Sequence, residues 1–179
     1  METFKELFEG TLKDIYYAEK AILKALPKMA KKASSKKLET AFTRHEKETQ
    51  KQVERLEQVF EMLDKRPAGK KCPAIDGIIK EGEEVMKEAK DETIRDAAML
   101  AAAQSVEHYE ISRYGTLVAW AEKMDMPDAV KLLQATLDEE KLTDEKLSAL
   151  AESEINVEAE DAGEDEAEEA PKRRASGRR

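Results

Sequence analysis

Apolar residues recur at spacings of three and four along four long stretches of the chain, the periodicity of amphipathic helices. The first stretch, roughly 3–33, carries Phe4, Phe8, Leu12, Ile15, Ile22, Leu23, Leu26 and Ala30. Pro27 lies inside it and predicts a kink, or the end of the regular part near Leu26. The second, roughly 36–64, carries Leu38, Phe42, Val53, Leu56, Val59, Phe60 and Leu63. The third, roughly 91–124, carries Leu100, Ala101, Ile111, Gly115 and Val118. The fourth, roughly 127–151, carries Val130, Leu133, Leu137, Leu147 and Ala151, with Pro127 suited to its first turn.

The breaks between stretches predict the topology. Only a few residues around Lys32-Ala33-Ser34-Ser35 join the first pair, and Met124-Asp125-Met126-Pro127 joins the last pair. Loops this short make antiparallel neighbours. The middle break is about 27 residues, Lys65 to Asp91, and opens with Arg66-Pro67-Ala68-Gly69 and Cys72-Pro73. It then holds a short amphipathic segment, roughly 74–89, with Ile75, Ile78, Ile79, Val85 and Met86. Such a break is long enough to cross the length of a bundle. The expected fold is all-α: a ferritin-like four-helix bundle of two antiparallel hairpins, with a short fifth helix in the crossover.

Composition narrows the picture. Of 179 residues, 40% are hydrophobic, 40% charged and only 5% aromatic, which nearly excludes an all-β sandwich. No apolar run is long enough for a membrane span, and no basic region followed by an apolar signal core opens the chain. The single cysteine, Cys72, cannot form an internal disulfide. These features predict a cytoplasmic protein with no membrane partner. Residues 152–179 hold ten of the 40 acids and five of the 31 bases, with almost nothing large and apolar. The expected division is therefore a helical domain at 1–151 and a disordered tail at 152–179, acidic first and then basic. The basic end, Lys172 to Arg179, is a weak candidate for nucleic-acid contact, because the neighbouring acids compete with phosphate.

Polar residues interrupt every stripe about halfway along. Glu19 falls between Ile15 and Ile22, and His45, Thr49 and Gln52 continue the line from Phe42 to Leu56. Gln104, Glu107 and His108 sit between Leu100 and Ile111, and Glu140 and Asp144 between Leu137 and Leu147. Burying a lone carboxylate costs several kcal/mol, roughly 2–7 by transfer measurements on neutral polar groups and more for a charge. Several carboxylates in one core also repel one another. A pair of divalent cations resolves both difficulties, and carboxylate oxygen with imidazole nitrogen suits Fe or Mn, with Zn as a third choice. The candidate ligands are Glu19, His45, Glu48, Glu107, Glu140 and Asp144, with Glu110, His108 and Glu46 as alternates. Glu48 lies off the centre of its stripe, and Glu110 lies farther off, which ranks it below Glu107. Gln52 and Gln104 read as hydrogen-bond donors to such ligands.

Several of these segments carry a resemblance. Tyr17-Ala18-Glu19-Lys20, His45 through Thr49 with Gln52, and Ala102 through Ile111 (Ala-Ala-Gln-Ser-Val-Glu-His-Tyr-Glu-Ile) are similar to the YciE/YciF family. Tyr114-Gly115-Thr116-Leu117 and Leu137 through Asp144 extend the likeness, which covers roughly residues 3–151. The resemblance implies a ferritin-like, rubrerythrin-like bundle associated with bacterial stress responses, and a di-iron-type site. The chain departs from the general ferritin pattern, because neither its second nor its fourth helix has Glu-x-x-His. It has His45-x-x-Glu48 and Glu140-x-x-Thr143 instead, with Asp144 one place on. A loose internal likeness sets Glu19 on Glu110 and Glu46-x-x-Thr49 on Glu140-x-x-Thr143, which favours the alternates Glu110 and Glu46.

Two functions of different classes follow. One is a redox protein that oxidises Fe²⁺ or removes peroxide at two bridged metals. The other is a non-catalytic bundle that binds a partner or serves a structural role under stress. Neither a Gly-rich phosphate loop nor a Ser/His/Asp set is visible. Trp120, Met124, Met126 and Tyr16 fall partly off the inner stripes, which predicts a homodimer.

Overall fold

The structure, a computed structural model, describes residues 1–169. Its helices are α1 (Phe4–Lys32), α2 (Lys36–Met62), α3 (Pro73–Glu88), α4 (Glu92–Lys123) and α5 (Pro127–Leu150). A π-helical turn, Ala151–Ile155, then leads into α6 (Asn156–Glu169). No strand occurs among the described residues.

Local chemistry sets the helix ends. Thr3 caps α1 in a capping box, its hydroxyl accepting from the Glu6 amide while the Glu6 carboxylate takes the Thr3 amide. Ser35 caps α2 and Asp91 caps α4, and prolines open α3 and α5 where a missing N–H does no harm. The C-termini of α2 and α4 close alike. Asp64 and Asp125 take left-handed conformations (φ 55° and 54°). The amides of Lys65 and Met126 then reach back to the carbonyls of Phe60 and Ala121. Pro27 stays inside α1 without ending it, so the helix runs six residues past Leu26 to Lys32.

Cross-helix contacts give the directions. Along α1 and α4, Phe4 stacks edge-on against Trp120, Glu19 meets Tyr114, and Ser34 meets Asp96, so these helices are antiparallel. Along α2 and α5, Lys37 meets Glu154 and Arg55 meets Glu139, also antiparallel. The order is up, down, down, up, with the crossover carrying the chain back along the bundle. The Lys70 amide pins that crossover to the Lys13 carbonyl of α1, and α3 packs across α1 and α4. This is the expected bundle, fifth helix included.

The core follows the stripes: Phe8, Leu12, Ile15, Phe42, Leu56, Phe60, Leu100, Leu117, Leu133 and Leu137 are buried. Phe4, 45% exposed at the end of its helix, and Ala101 are the exposed members of the four stripes. The side chains that suggested a homodimer, Trp120, Met124, Met126 and Tyr16, are half-buried against their own chain. Tyr16 also donates to Glu57 at 2.8 Å.

One boundary needs correction. The chain does not lose helical structure at Glu152, because the π-helical turn and α6 carry it on to Glu169. Ile155 is 1% exposed, and one buried isoleucine among acids is a signal that bulk composition averages away. Residues 170–179, including the basic end, lie outside the described residues.

Candidate metal centre

Four helices deliver one side chain or two each to the bundle interior. α1 brings Glu19, α2 brings His45, α4 brings Glu107 and Glu110, and α5 brings Glu140. All five are buried, the three glutamates Glu19, Glu110 and Glu140 completely. His45, Glu107, Glu110 and Glu140 each offer a ligand atom within 4.8 Å of the others. Glu19 stands beside them and accepts a hydrogen bond from the Tyr114 hydroxyl.

Their hydrogen bonding is incomplete. Both carboxylate oxygens of Glu110 and of Glu140 lack any partner, as do one oxygen each of Glu19 and Glu107 and both ring nitrogens of His45. His45 Nε2 lies 3.1 Å from Glu107 Oε1, close enough for charge attraction but without hydrogen-bond geometry. Buried polar atoms are otherwise paired in folded proteins, so a concentration of orphans on one cluster points to a missing partner.

The electrostatics agree. Burial pushes Glu19 up to about 7, against the opposing pull of the Tyr114 hydroxyl and His45. Burial also lifts Glu110, and the neighbouring charges of Glu19, Glu140 and Glu107 lift it further, well above the carboxylate range. Glu140 rises for the same reasons, burial first and Glu107 next. Burial by itself lowers the His45 imidazole, but Glu107, Glu48 and Glu140 together outweigh it and the net shift is well upward. Close-packed, buried carboxylates thus hold protons more tightly than free ones.

The donor set could hold a metal ion, carboxylate oxygen and imidazole nitrogen being suitable donors. Four carboxylates and one neutral imidazole carry four negative charges, which two divalent cations would balance in a medium that tolerates no surplus. Glu140-x-x-Thr143 and Glu107-x-x-Glu110 each span one helical turn, so both members face inward together.

The remaining candidates fall at the edge or outside. Glu48 is half-buried, 3.9 Å from His45 Nδ1 and from Arg44, and the His45 contact holds its carboxyl below the usual range. Asp144 is half-buried, 3.3 Å from His108 Nε2 and 3.5 Å from Gln104 Nε2. The His108 side chain is 70% exposed and Glu46 is half-buried outside the group. Glu48, Asp144, His108 and Glu46 are therefore not among the residues the structure gathers, and the low ranking of Glu110 is corrected.

The physical reason is the environment of α4. That helix packs against α1, α3 and α5, and its inward line runs Leu100, Ala103, Glu107, Glu110, Tyr114, Leu117, Ala121. A stripe drawn through Ala101 and Ile111 misses this line, because Ala101 is exposed and Ile111 half-buried. Tyr114, completely buried and bonded to Glu19, was the residue missed. Its place four after Glu110 on the true line was the available signal. Gln52 does act as a donor, but to Glu139 at 3.2 Å, beside the Arg55–Glu139 pair at 2.6 Å.

Two clefts lead from the surface to this cluster. One, of about 460 Å³, lies between α1, α3 and α4. The other, of about 510 Å³, lies between α2, α4 and α5 at the end of α1. Leu26, His45, Ala103 and Glu107 line both, so the clefts meet at the His45–Glu107 pair.

Known proteins place this geometry among relatives. Residues 3–160 match the family described as Domain of unknown function (DUF892). Protein YciF of Escherichia coli is 45% identical over 161 residues, 89% of this chain and 97% of YciF. The crystal structure of that E. coli stress protein superposes with a TM-score of 0.83, covering 87% of this chain and 99% of its own. YcfI from Rhodopseudomonas palustris, described as a proposed structural protein, is 52% identical with a TM-score of 0.81, covering 82% and 94%. A protein from Xanthomonas campestris shares the fold at 21% identity, with a TM-score of 0.69 over 90% of this chain and 99% of its own.

Proposed function

This chain belongs to the DUF892 family alongside the stress protein YciF, and we propose that its buried cluster is a di-metal redox centre, with iron the preferred metal. The observation that carries the reading is the set of unpartnered, completely buried carboxylate oxygens on Glu110 and Glu140, facing His45 and Glu107. Glu19, His45, Glu107, Glu110 and Glu140 would hold the ions. When bound, a pair of redox-active ions supplies electron exchange with oxygen or peroxide, which matches Fe²⁺ oxidation or peroxide removal.

The chain's own residues prepare the place. Tyr114 fixes the Glu19 carboxylate by donating its hydroxyl proton to one oxygen, leaving the other oxygen free. Thr49 ties its hydroxyl to the His45 carbonyl at 2.8 Å, removing a competing polar group from the interior. The raised affinity of Glu19, Glu110 and Glu140 for protons means that ion binding must release protons.

Elemental analysis of the purified full chain, paired with oxygen consumption on adding ferrous iron, tests the reading. Near two metal ions per chain and iron-dependent uptake of oxygen are expected, both lost in Glu110→Gln. A metal-free protein that neither takes up iron nor consumes oxygen would refute it. The description of the Rhodopseudomonas protein as structural supports the second reading, a non-catalytic stress bundle, and that negative result would favour it.

A further inference from the structure

The cleft between α1, α3 and α4 has walls, a mouth and an inner end of different chemistry. Its walls are apolar, built by Ile22 and Leu26 of α1, Ile79 and Met86 of α3, and Val106 of α4. A volume of about 460 Å³ lies in the range of small-molecule pockets. Its mouth carries Lys28, Lys31 and Lys32, which occupy one face of α1 at spacings of three and four. None of the three forms an ion pair among the described residues, and Glu83 is the one carboxylate on that rim. Its inner end is the His45–Glu107 pair, 4% and 1% exposed, so a carboxylate closes the cleft there and leaves the lysine mouth as the place for an anionic group.

Like charges at these spacings repel, and a bound anion would offset that cost. The second cleft differs, because three of its basic residues are already engaged: Lys36 pairs with Glu39, Lys37 pairs with Glu154, and Arg44 lies 3.9 Å from Glu48. The first cleft is also held open by its own framework. Gly82 of α3 lies so close to α4 that a Cβ there would come within 2.8 Å of Ala102 Cβ. Tyr17 of α1 donates to Asp76 of α3 at 2.8 Å. These contacts anchor α3 at both sides of the cleft, so α3 cannot simply settle inward to fill it.

We propose that this cleft binds an amphipathic organic anion, its apolar body between α1, α3 and α4 and its charged group at the Lys28–Lys31–Lys32 mouth. The binding rests on cleft shape and lysine charge and does not require a metal at the neighbouring cluster.

The test is a fluorescence titration of the full chain with anilinonaphthalenesulfonate, with and without chelator, followed by competition with dodecanoate and dodecanol. Saturable binding to one place per chain is expected, displaced by dodecanoate, in both metal conditions. Ala25→Phe, which places a ring in the cleft, should weaken the probe by at least about tenfold. The surface triple change Lys28→Gln, Lys31→Gln and Lys32→Gln should weaken dodecanoate by about tenfold while leaving dodecanol unchanged. Non-saturable binding, an unaltered affinity in a folded Ala25→Phe variant, or equal loss of dodecanoate and dodecanol in the lysine variant would overturn the proposal. So would a dimer in which a second copy covers the cleft and blocks the probe. Glu110→Gln should retain probe binding while losing metal, so the two proposals fail separately.

Discussion

Of the three carboxylates that helix α4 buries, two could hardly be treated more differently. Asp96, near its start, is 2% exposed and accepts from the Ser34 amide, the Ser34 hydroxyl and the Ser35 amide, at 2.6 to 3.1 Å. Glu110, four turns on, is completely buried and accepts from nothing. The first carboxylate has its charge matched by fixed backbone donors at the α1–α2 loop, and it locks that loop to α4. The second sits among three other glutamates and an imidazole. A buried carboxylate with built-in donors is a structural fastener. One without them is a seat for something that arrives later.

The largest expected effect breaks the fastener. Asp96→Ala removes three hydrogen bonds that a charged acceptor takes from the Ser34–Ser35 loop and should cost about 3–5 kcal/mol, equally with chelator and with added metal. Denaturant unfolding in both conditions checks it. A loss that depended on metal would place Asp96 with the cluster instead.

A second prediction concerns pH in metal-free protein. Glu19 rises from 4.5 to about 7 on folding, so its contribution is complete below pH 4.5 and is lost as pH climbs through about 7. His45, also raised, acts in the same direction. Metal-free protein should therefore lose about 2–3 kcal/mol of stability between pH 5 and pH 8. In Glu19→Gln the slope should flatten. Urea midpoints across that range measure it, and stability rising with pH would contradict the protonated cluster.

Glu110→Gln and Glu140→Gln should each stabilise metal-free protein at pH 8 by about 1 kcal/mol or more, since a neutral amide spares the site the cost of burying either a charge or a proton taken up at that pH. The smallest effect lies far from either carboxylate. Asp125 holds a left-handed conformation after α4, and Asp125→Gly should add about 0.5–1 kcal/mol by removing that strain. Thermal unfolding checks both, and a glycine that destabilised would mean the Asp125 side chain does more than turn the chain.

The bundle was legible because stripe spacing and loop length are local properties. Pro127 opens α5 and the two short loops make hairpins, as their sequences require. Mid-height carboxylates were legible as a group for the same reason. Which carboxylates converge was only partly legible, because stripe angle assumes a helix with one buried face. α4 is packed on three sides, so Ala101 and Ile111 misled the centring and Glu110 was ranked too low. Glu48 and Asp144 follow inward residues by three and four positions, yet stay half-buried outside the gathered group. Neighbouring side chains meet them there, Arg44 at Glu48 and Gln104 at Asp144.

The most direct measurement is the melting temperature of wild type and Glu140→Gln, each with chelator and with added Fe²⁺ or Mn²⁺. A metal-seating cluster predicts an inversion: the variant melts above wild type with chelator and below it with metal, because only wild type gains the binding energy of folded-state ions. Equal shifts in the two conditions would contradict a metal at Glu140 and leave the di-metal reading without its main support.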